Sequence, residues 1–188
     1  MGFFTIWELR EAGRQARQYV TKSAAQILLE STKTFSVSRI YDIFLSHTLK
    51  DSDDILGLKV IIEKLGYSIY VDWIEDPHLD RSSVSAETAD RLRIRMKSCR
   101  SLFFATSENS PSSKWMPWEL GYFDGLKGRV AILPVADRES YQFRGQEYLG
   151  LYPYIDRVKM TNTDQNALFI NKDSKYVRFD DWLTGKEI

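Results

Sequence analysis

The 188-residue sequence is short of cysteine and histidine, and it contains no long apolar run. Cys99 is the single cysteine, so an intramolecular disulfide and a zinc site built on several thiolates are both excluded, a pattern typical of a reducing compartment. No apolar run approaches the ~20 residues of a membrane helix. The N-terminus also lacks the basic flank and apolar core of a signal peptide. We therefore expect a cytoplasmic protein with no membrane partner.

An excess of either charge is also missing, since 26 basic residues balance 26 acidic ones. Balanced charge gives no general attraction to nucleic acid. The basic stretch at 91–100 falls on a predicted helix without interleaved aromatic residues, so we expect a solvated face and no nucleic-acid partner. Neither His47 nor His78 has a cysteine or a second histidine at ligand spacing, so the sequence predicts no metal site.

Apolar residues make up 43% of the chain and aromatic residues 13%, which is typical of a globular protein. Near the N-terminus, apolar residues recur at steps of three and four and predict an amphipathic helix over 5–31. This helix could dock on its own domain or form a surface for self-assembly or a partner. The polar stretch at 31–38 predicts a linker. We thus divide the chain into an N-terminal helix with linker, 1–35, and a main domain with a C-terminal extension, 36–188.

The main domain alternates predicted strands with predicted helices. The helices are expected over 53–65 and 84–98 and in a third segment that ends near Gly128, and the strands over 39–46, 67–73, 101–106, 129–135 and 154–160. In the tail, ALFIN and KYVRF could pair as short strands, and DDWLTG could form a final helical turn. This alternation predicts an α/β, flavodoxin-like fold with a five-stranded parallel sheet and helices on both faces.

Polar side chains follow two of the predicted strands at the point where each strand ends. Ser46 and His47 close the first strand, and Ser107 to Asn109 follow the third. Ligands of open parallel sheets bind beyond the carboxyl ends of the strands. We therefore expect a ligand site at this edge, next to the helix that begins in WMPWELGY.

Glu119 is the candidate catalytic group of that helix. Pro117 suits the first helical position, which would place Glu119 third, where the helix dipole favours an ionised carboxylate unless burial opposes it. Tyr122 lies on the same helix face, and Gly121 and Gly125 would let the helix approach the sheet closely. An acid in a first turn is also common as a simple capping group, so local spacing leaves both interpretations open.

The first predicted strand and the residue after it read YDIFLSH at 41–47. This stretch resembles the opening strand and first loop of TIR domains, the Toll/interleukin-1 receptor fold. W-x-x-x-E at Trp115 to Glu119, continuing ELGYFDG, resembles the segment that carries the catalytic glutamate of bacterial TIR enzymes that cleave NAD. The resemblance spans about 39–160 and extends to the TIR proteins of Thoeris-type antiphage systems, which make a cyclic ADP-ribose signal.

The resemblance implies roles for individual residues. Glu119 matches the catalytic glutamate, and Trp115 matches the tryptophan that shapes the pocket. Ser46 and His47 lie in the loop that borders the nucleotide in the family. Residues 73–83 occupy the position of the family's BB loop, with Trp73 as a further substrate contact, although this loop lacks the glycine that the family often has. Tyr122, together with Trp115 and Trp118, could exclude water from the pocket.

The function that the resemblance implies is cleavage of the nicotinamide–ribose bond of NAD. The products would be nicotinamide and either ADP-ribose or a cyclic isomer, the latter a signal in bacterial antiphage defence. NAD would be the substrate, with no separate cofactor. The family also implies self-association through the TIR domain and a downstream effector that responds to the nucleotide. The alternatives are a non-catalytic TIR interaction module and a nucleoside deoxyribosyltransferase-like enzyme, in which the glutamate would be a covalent nucleophile.

Overall fold

The computed structural model describes residues 4–18, 39–72, 84–136, 147–161 and 165–188. Within these ranges, eight strands form one sheet. The strands are β1 (Phe4–Thr5), β2 (Tyr41–Ser46), β3 (Ile69–Tyr70), β4 (Cys99–Thr106), β5 (Val130–Ala136), β6 (Tyr154–Lys159), β7 (Asn166–Lys172) and β8 (Lys175–Arg178). Their order is β3-β2-β4-β5-β6-β7-β8, and β1 pairs with the end of β5.

Strands β3, β2, β4, β5 and β6 are all parallel and correspond to the five predicted strands. Ser46, at the end of β2, pairs in register with Phe104 of β4. Thr106, two residues further along β4, pairs with Pro134 of β5. The predicted parallel α/β sheet is therefore confirmed, and its carboxyl ends meet at the edge where a ligand site was expected.

The tail extends the sheet with an antiparallel hairpin. β7 pairs with β6, and β8 pairs with β7, so ALFIN and KYVRF do form neighbouring strands. The turn between them places Asp173 and Ser174 at positive φ, +50° and +67°. Helix α5 (Phe179–Leu183) follows, and Trp182 within it is buried against the core.

Helices cover both faces of the sheet. On one face lie α1 (Ile6–Gln18), α2 (Ser52–Lys64) and α5, and on the other lie α3 (Ala86–Lys97) and α4 (Trp115–Lys127). Successive residues of the central strands alternate between the two cores, as Phe103 joins the first and Phe104 the second. Helix α4 therefore covers the sheet face to which Phe104 contributes.

The N-terminal helix docks on its own domain over the residues described. Leu9 of α1 is fully buried in the core shared with α2. Gly57 of α2 makes this approach possible, because a Cβ added there would lie 1.8 Å from the Leu9 carbonyl oxygen. Glu8 accepts two hydrogen bonds from Arg157 of β6, at 2.5 and 2.8 Å. Residues 19–38, with the rest of the predicted helix, the linker and the predicted domain boundary, lie outside the described residues.

The expectation for Gly121 and Gly125 is wrong. Both are exposed, and a Cβ added at either would meet no atom within 4 Å. The reason is the helix period, because the buried residues Leu120 and Phe123 turn the other side of α4 toward the sheet. In the part of the chain that the structure describes, no helix is long and apolar enough to cross a membrane.

Candidate active site at the carboxyl edge of the sheet

A buried hydrogen bond joins β2 to α4 at the carboxyl edge of the sheet. The Ser46 hydroxyl donates to Glu119 Oε2 at 2.6 Å, and neither residue has any exposed surface. Ser46 occupies this position because β2 ends there, and Glu119 lies on the buried side of α4 with Leu120 and Phe123. A hydroxyl that donates to a carboxylate stabilises its ionised form. The two residues singled out in separate motifs are thus brought into direct contact.

Helix α4 begins two residues earlier than predicted. Trp115 is its first residue, so Pro117 is third and Glu119 fifth, and the first turn contains no acid. The Met116 N–H donates to Ser113 Oγ at 3.2 Å, which satisfies one of the free amides at the start of the helix. Proline is tolerated throughout the first turn, since those amides have no helical partner. Pro117 therefore did not mark the first residue of helix α4. Ser113, two residues before that first residue, marks the start of the helix better.

This shift changes the electrostatic interpretation of Glu119. The dipole effect falls off within the first turn, and Glu119 lies just beyond it. A simple capping function also requires a position in that turn, so it does not explain the residue. Burial and the Ser46 hydroxyl dominate its surroundings instead.

His47 is clamped between two oxygen acceptors. Its Nδ1 lies 2.9 Å from the Leu45 carbonyl oxygen, and its Nε2 lies 3.4 Å from Asp72 Oδ1. The His47 and Asp72 side chains are buried, at 0% and 1% exposure. The clamp ties the end of β2 to the segment after β3, directly beside Ser46.

A cleft of about 280 Å³ opens next to this clamp. Residues 47–50 form one wall, residues 112–115 form the other, and Val84 lies at its side. The segment after β2 is also tied to the segment after β4, since Asp51 accepts hydrogen bonds from Ser107 Oγ and from Asn109 Nδ2. Trp115 and His47, which belong to separate motifs, therefore line one cleft.

Three aromatic side chains of α4 lie in contact one after another, beginning with Trp115 at the cleft. Trp115 contacts Trp118 edge-on with ring centroids 5.5 Å apart, and Trp118 stacks on Tyr122 at 5.6 Å and 14°. The Arg93 guanidinium lies over both Trp118 and Tyr122, at 5.4 and 6.0 Å from the ring centroids. Tyr122 is not among the described residues that line the cleft, and Trp73 lies outside the described residues.

Three polar residues of this edge were not predicted from the sequence: Asp72, Lys50 and Lys114. The sequence did indicate a role for Asp72, because a lone acid at the end of an otherwise apolar strand needs a buried partner. Lys50 and Lys114 gave no signal, since only folding brings their two loops to one cleft. In the described ranges, no three His, Cys, Asp or Glu side chains come together as a potential metal site.

A parallel sheet with an acid-bearing helix at its carboxyl edge is the arrangement of TIR domains, and comparison with known proteins agrees with this class. The chain is 58% identical over 165 residues to the Bacillus cereus (strain MSX-D12) protein "Probable 3' cyclic ADP-D-ribose synthase ThsB'", covering 86% of this chain and 85% of that protein. The chain therefore belongs to the ThsB' family of Thoeris TIR proteins.

A second relative is more distant. The Cytobacillus dafuensis protein "Putative cyclic ADP-D-ribose synthase TIR2" is 33% identical over 129 residues, which cover 64% of this chain and 34% of that protein. No protein-family model matches the chain.

Proposed function

We propose that the chain cleaves the nicotinamide–ribose bond of NAD and closes the remaining ADP-ribose into a cyclic product. The observation that carries the proposal is the buried Ser46–Glu119 pair at the carboxyl edge of the sheet. A carboxylate held in this way suits the stabilisation of a developing positive charge. The names of both relatives, as cyclic ADP-D-ribose synthases, support the same reaction.

Glu119 acts on the ribose, not on the leaving group. When the bond between the anomeric carbon and the nicotinamide nitrogen breaks, its electron pair goes to the cationic ring, so nicotinamide leaves neutral and needs no strong acid. The ribose becomes oxocarbenium-like, as in glycoside hydrolysis. The Glu119 carboxylate stabilises that cation, and Ser46 is a positioning residue that fixes the carboxylate. NAD is the substrate, and these steps need no separate cofactor.

The acceptor decides the product. Attack by a hydroxyl of the adenosine ribose forms a new C–O bond, releases the hydroxyl proton and gives a cyclic product, the type of product in the ThsB' name. Attack by water gives linear ADP-ribose instead. Trp115 is 5% exposed and packs against Trp118, so this aromatic wall favours cyclisation by limiting the access of water.

Substrate entry requires a movement at the cleft, because Glu119 has no exposed surface. Trp115 lines the cleft and precedes Glu119 by about one helical turn on α4. A change in the Trp115 side chain would open a route from the cleft toward the carboxylate. His47 has both ring nitrogens directed at protein oxygen atoms, so it shapes the cleft and does not serve as a general base.

The biological role that follows is production of a nucleotide signal in antiphage defence, received by a separate effector. Self-association through the TIR domain is part of the proposal and predicts specific activity that rises with protein concentration. Constant specific activity over a wide concentration range would contradict it. The interaction-module and deoxyribosyltransferase alternatives are not favoured by the names of the relatives.

Product analysis tests the reaction directly. Purified protein and a Glu119→Gln variant are incubated with NAD, and products are separated by chromatography with mass detection. We expect nicotinamide and a nucleotide lighter than ADP-ribose by one water. Glu119→Gln should lower kcat by 10²–10³, the usual effect of removing one preorganised group. Glu87→Gln is the control, since Glu87 forms a surface pair with Arg91. Equal activity of Glu119→Gln and wild type would refute the role of Glu119.

A further inference from the structure

Two lysines face the cleft from opposite walls. Lys50 lies in the short helical turn after β2, and Lys114 directly precedes Trp115. Lys50 Nζ lies 3.4 Å from Ser112 Oγ, so its ammonium reaches across to the opposite wall. Among the described residues of the walls, the other polar side chains apart from His47 are hydroxyls: Thr48, Ser112 and Ser113.

Neither lysine forms a salt bridge with a carboxylate among the described residues. The nearest acid in sequence to Lys50 is Asp51, whose two carboxylate oxygens already accept hydrogen bonds from Ser107 and Asn109. No acidic residue is found among the described residues that line the cleft.

A concave site attracts an anion when it presents several hydroxyl donors and two ammonium groups that form no salt bridge with the described residues. Ammonium groups bind phosphate oxygens through charge-assisted hydrogen bonds, which are stronger than neutral ones. The low-dielectric walls of a cleft also strengthen the attraction relative to a flat surface.

We infer that Lys50 and Lys114 form the diphosphate subsite of this cleft. The inference rests on the proposed reaction for the identity of the ligand, a dinucleotide diphosphate. The position fits that ligand, because Trp115 lies between Lys114 and the helical turn that carries Glu119. In NAD a single ribose separates the diphosphate from the bond that breaks. A diphosphate held at the mouth of the cleft therefore directs that ribose toward Glu119.

A binding measurement tests the subsite without any turnover. The Glu119→Gln protein is titrated with ADP and with adenosine by calorimetry, then compared with a protein that also carries Lys50→Met and Lys114→Met. Methionine retains most of the side-chain length and removes the charge. We expect ADP to bind at least tenfold more tightly than adenosine, and the two lysine substitutions to abolish that difference. Equal affinity for ADP and adenosine before those substitutions would overturn the inference.

Steady-state kinetics with NAD provide a second test of the subsite. Each single lysine substitution should raise KM for NAD by about tenfold and leave kcat within about twofold, because the diphosphate takes no part in the bond change. Added salt should raise KM of the wild type more than that of the double variant. Lys175→Met, on the distant strand β8, is the matched control. An unchanged KM in the double variant would also overturn the inference.

The two tests separate failure of the subsite from failure of the reaction. If ADP binding depends on both lysines but the wild type releases no nicotinamide, the subsite stands and the proposed function is wrong. If the wild type releases nicotinamide but the double variant matches it in KM and in ADP affinity, the reaction stands and the subsite is wrong. Lys50 and Lys114 are exposed, so the unfolding temperature of each lysine variant should match that of the parent protein, which thermal unfolding checks.

Discussion

Ser46 and Glu119 lie 73 residues apart in the sequence, yet the Ser46 hydroxyl donates to the Glu119 carboxylate at 2.6 Å inside the protein. The bond connects the end of a central strand to the helix that covers it. A buried carboxylate without a donor would be strongly destabilised. The serine therefore permits an ionised acid at a position that has no exposed surface.

Ser46→Ala should lower kcat by about tenfold and leave KM nearly unchanged. The substitution removes one hydrogen bond to a charged group, worth about 1.5–3 kcal/mol, and leaves Glu119 less well oriented. Steady-state nicotinamide release measures both constants. Ser101→Ala is the matched control, because the Ser101 hydroxyl is also buried in the sheet but donates to the Asp42 carbonyl. A similar fall in kcat for both variants would indicate a general loss of stability and contradict the positioning role.

The sequence predicted the sheet because the five parallel strands are strongly apolar and evenly spaced. It did not predict β1, which has only two residues and pairs with a strand more than 120 residues away. At the site, Glu119 and Ser46 were found through their motifs, but their contact was not. Lys50 and Lys114 were missed because hydrophobic periodicity carries no information on which loops face each other.

Gly57→Ala should destabilise the protein although alanine is the better helix former. The new Cβ would lie 1.8 Å from the Leu9 carbonyl oxygen, so α1 would have to move away from α2. Overpacking of this kind costs about 1–3 kcal/mol, which exceeds the gain of roughly 1 kcal/mol in helix propensity. Urea unfolding measures the net change in the free energy of unfolding that these two effects produce.

Gly121→Ala on α4 provides the control for that measurement. A Cβ at Gly121 meets nothing within 4 Å, so only the propensity gain applies, and stability should rise by about 0.5–1 kcal/mol. Gly57→Ala and Gly121→Ala should therefore shift the unfolding midpoint in opposite directions. A stabilising effect of Gly57→Ala would show that α1 does not pack on α2 as described.

Cys99 should be nearly inert toward thiol reagents in the folded protein. Its side chain is fully buried at the start of β4, and burial raises the pKa of its thiol because it disfavours the thiolate, the reactive form. A chromogenic disulfide should therefore react with the native protein about a thousandfold more slowly than with the urea-unfolded chain, if modification requires unfolding. Lys175→Cys places a thiol on an exposed site and should react at once. One equivalent of rapid reaction with the native wild type would contradict the buried position.

The same thiol should make stability depend on pH in alkaline solution. The pKa of Cys99 is higher in the folded protein than in the unfolded chain, where it is about 8.5, so the unfolded state loses its proton first. Below pH ~8.5 the thiol is protonated in both states, so its titration does not change the free energy of unfolding. As the pH rises further, the thiol ionises in the unfolded chain first, and the free energy of unfolding decreases. Urea unfolding at pH 7.5 and pH 9.5 should therefore show a larger loss for the wild type than for Cys99→Ala. Equal losses in the two proteins would mean that the thiol titrates alike in both states.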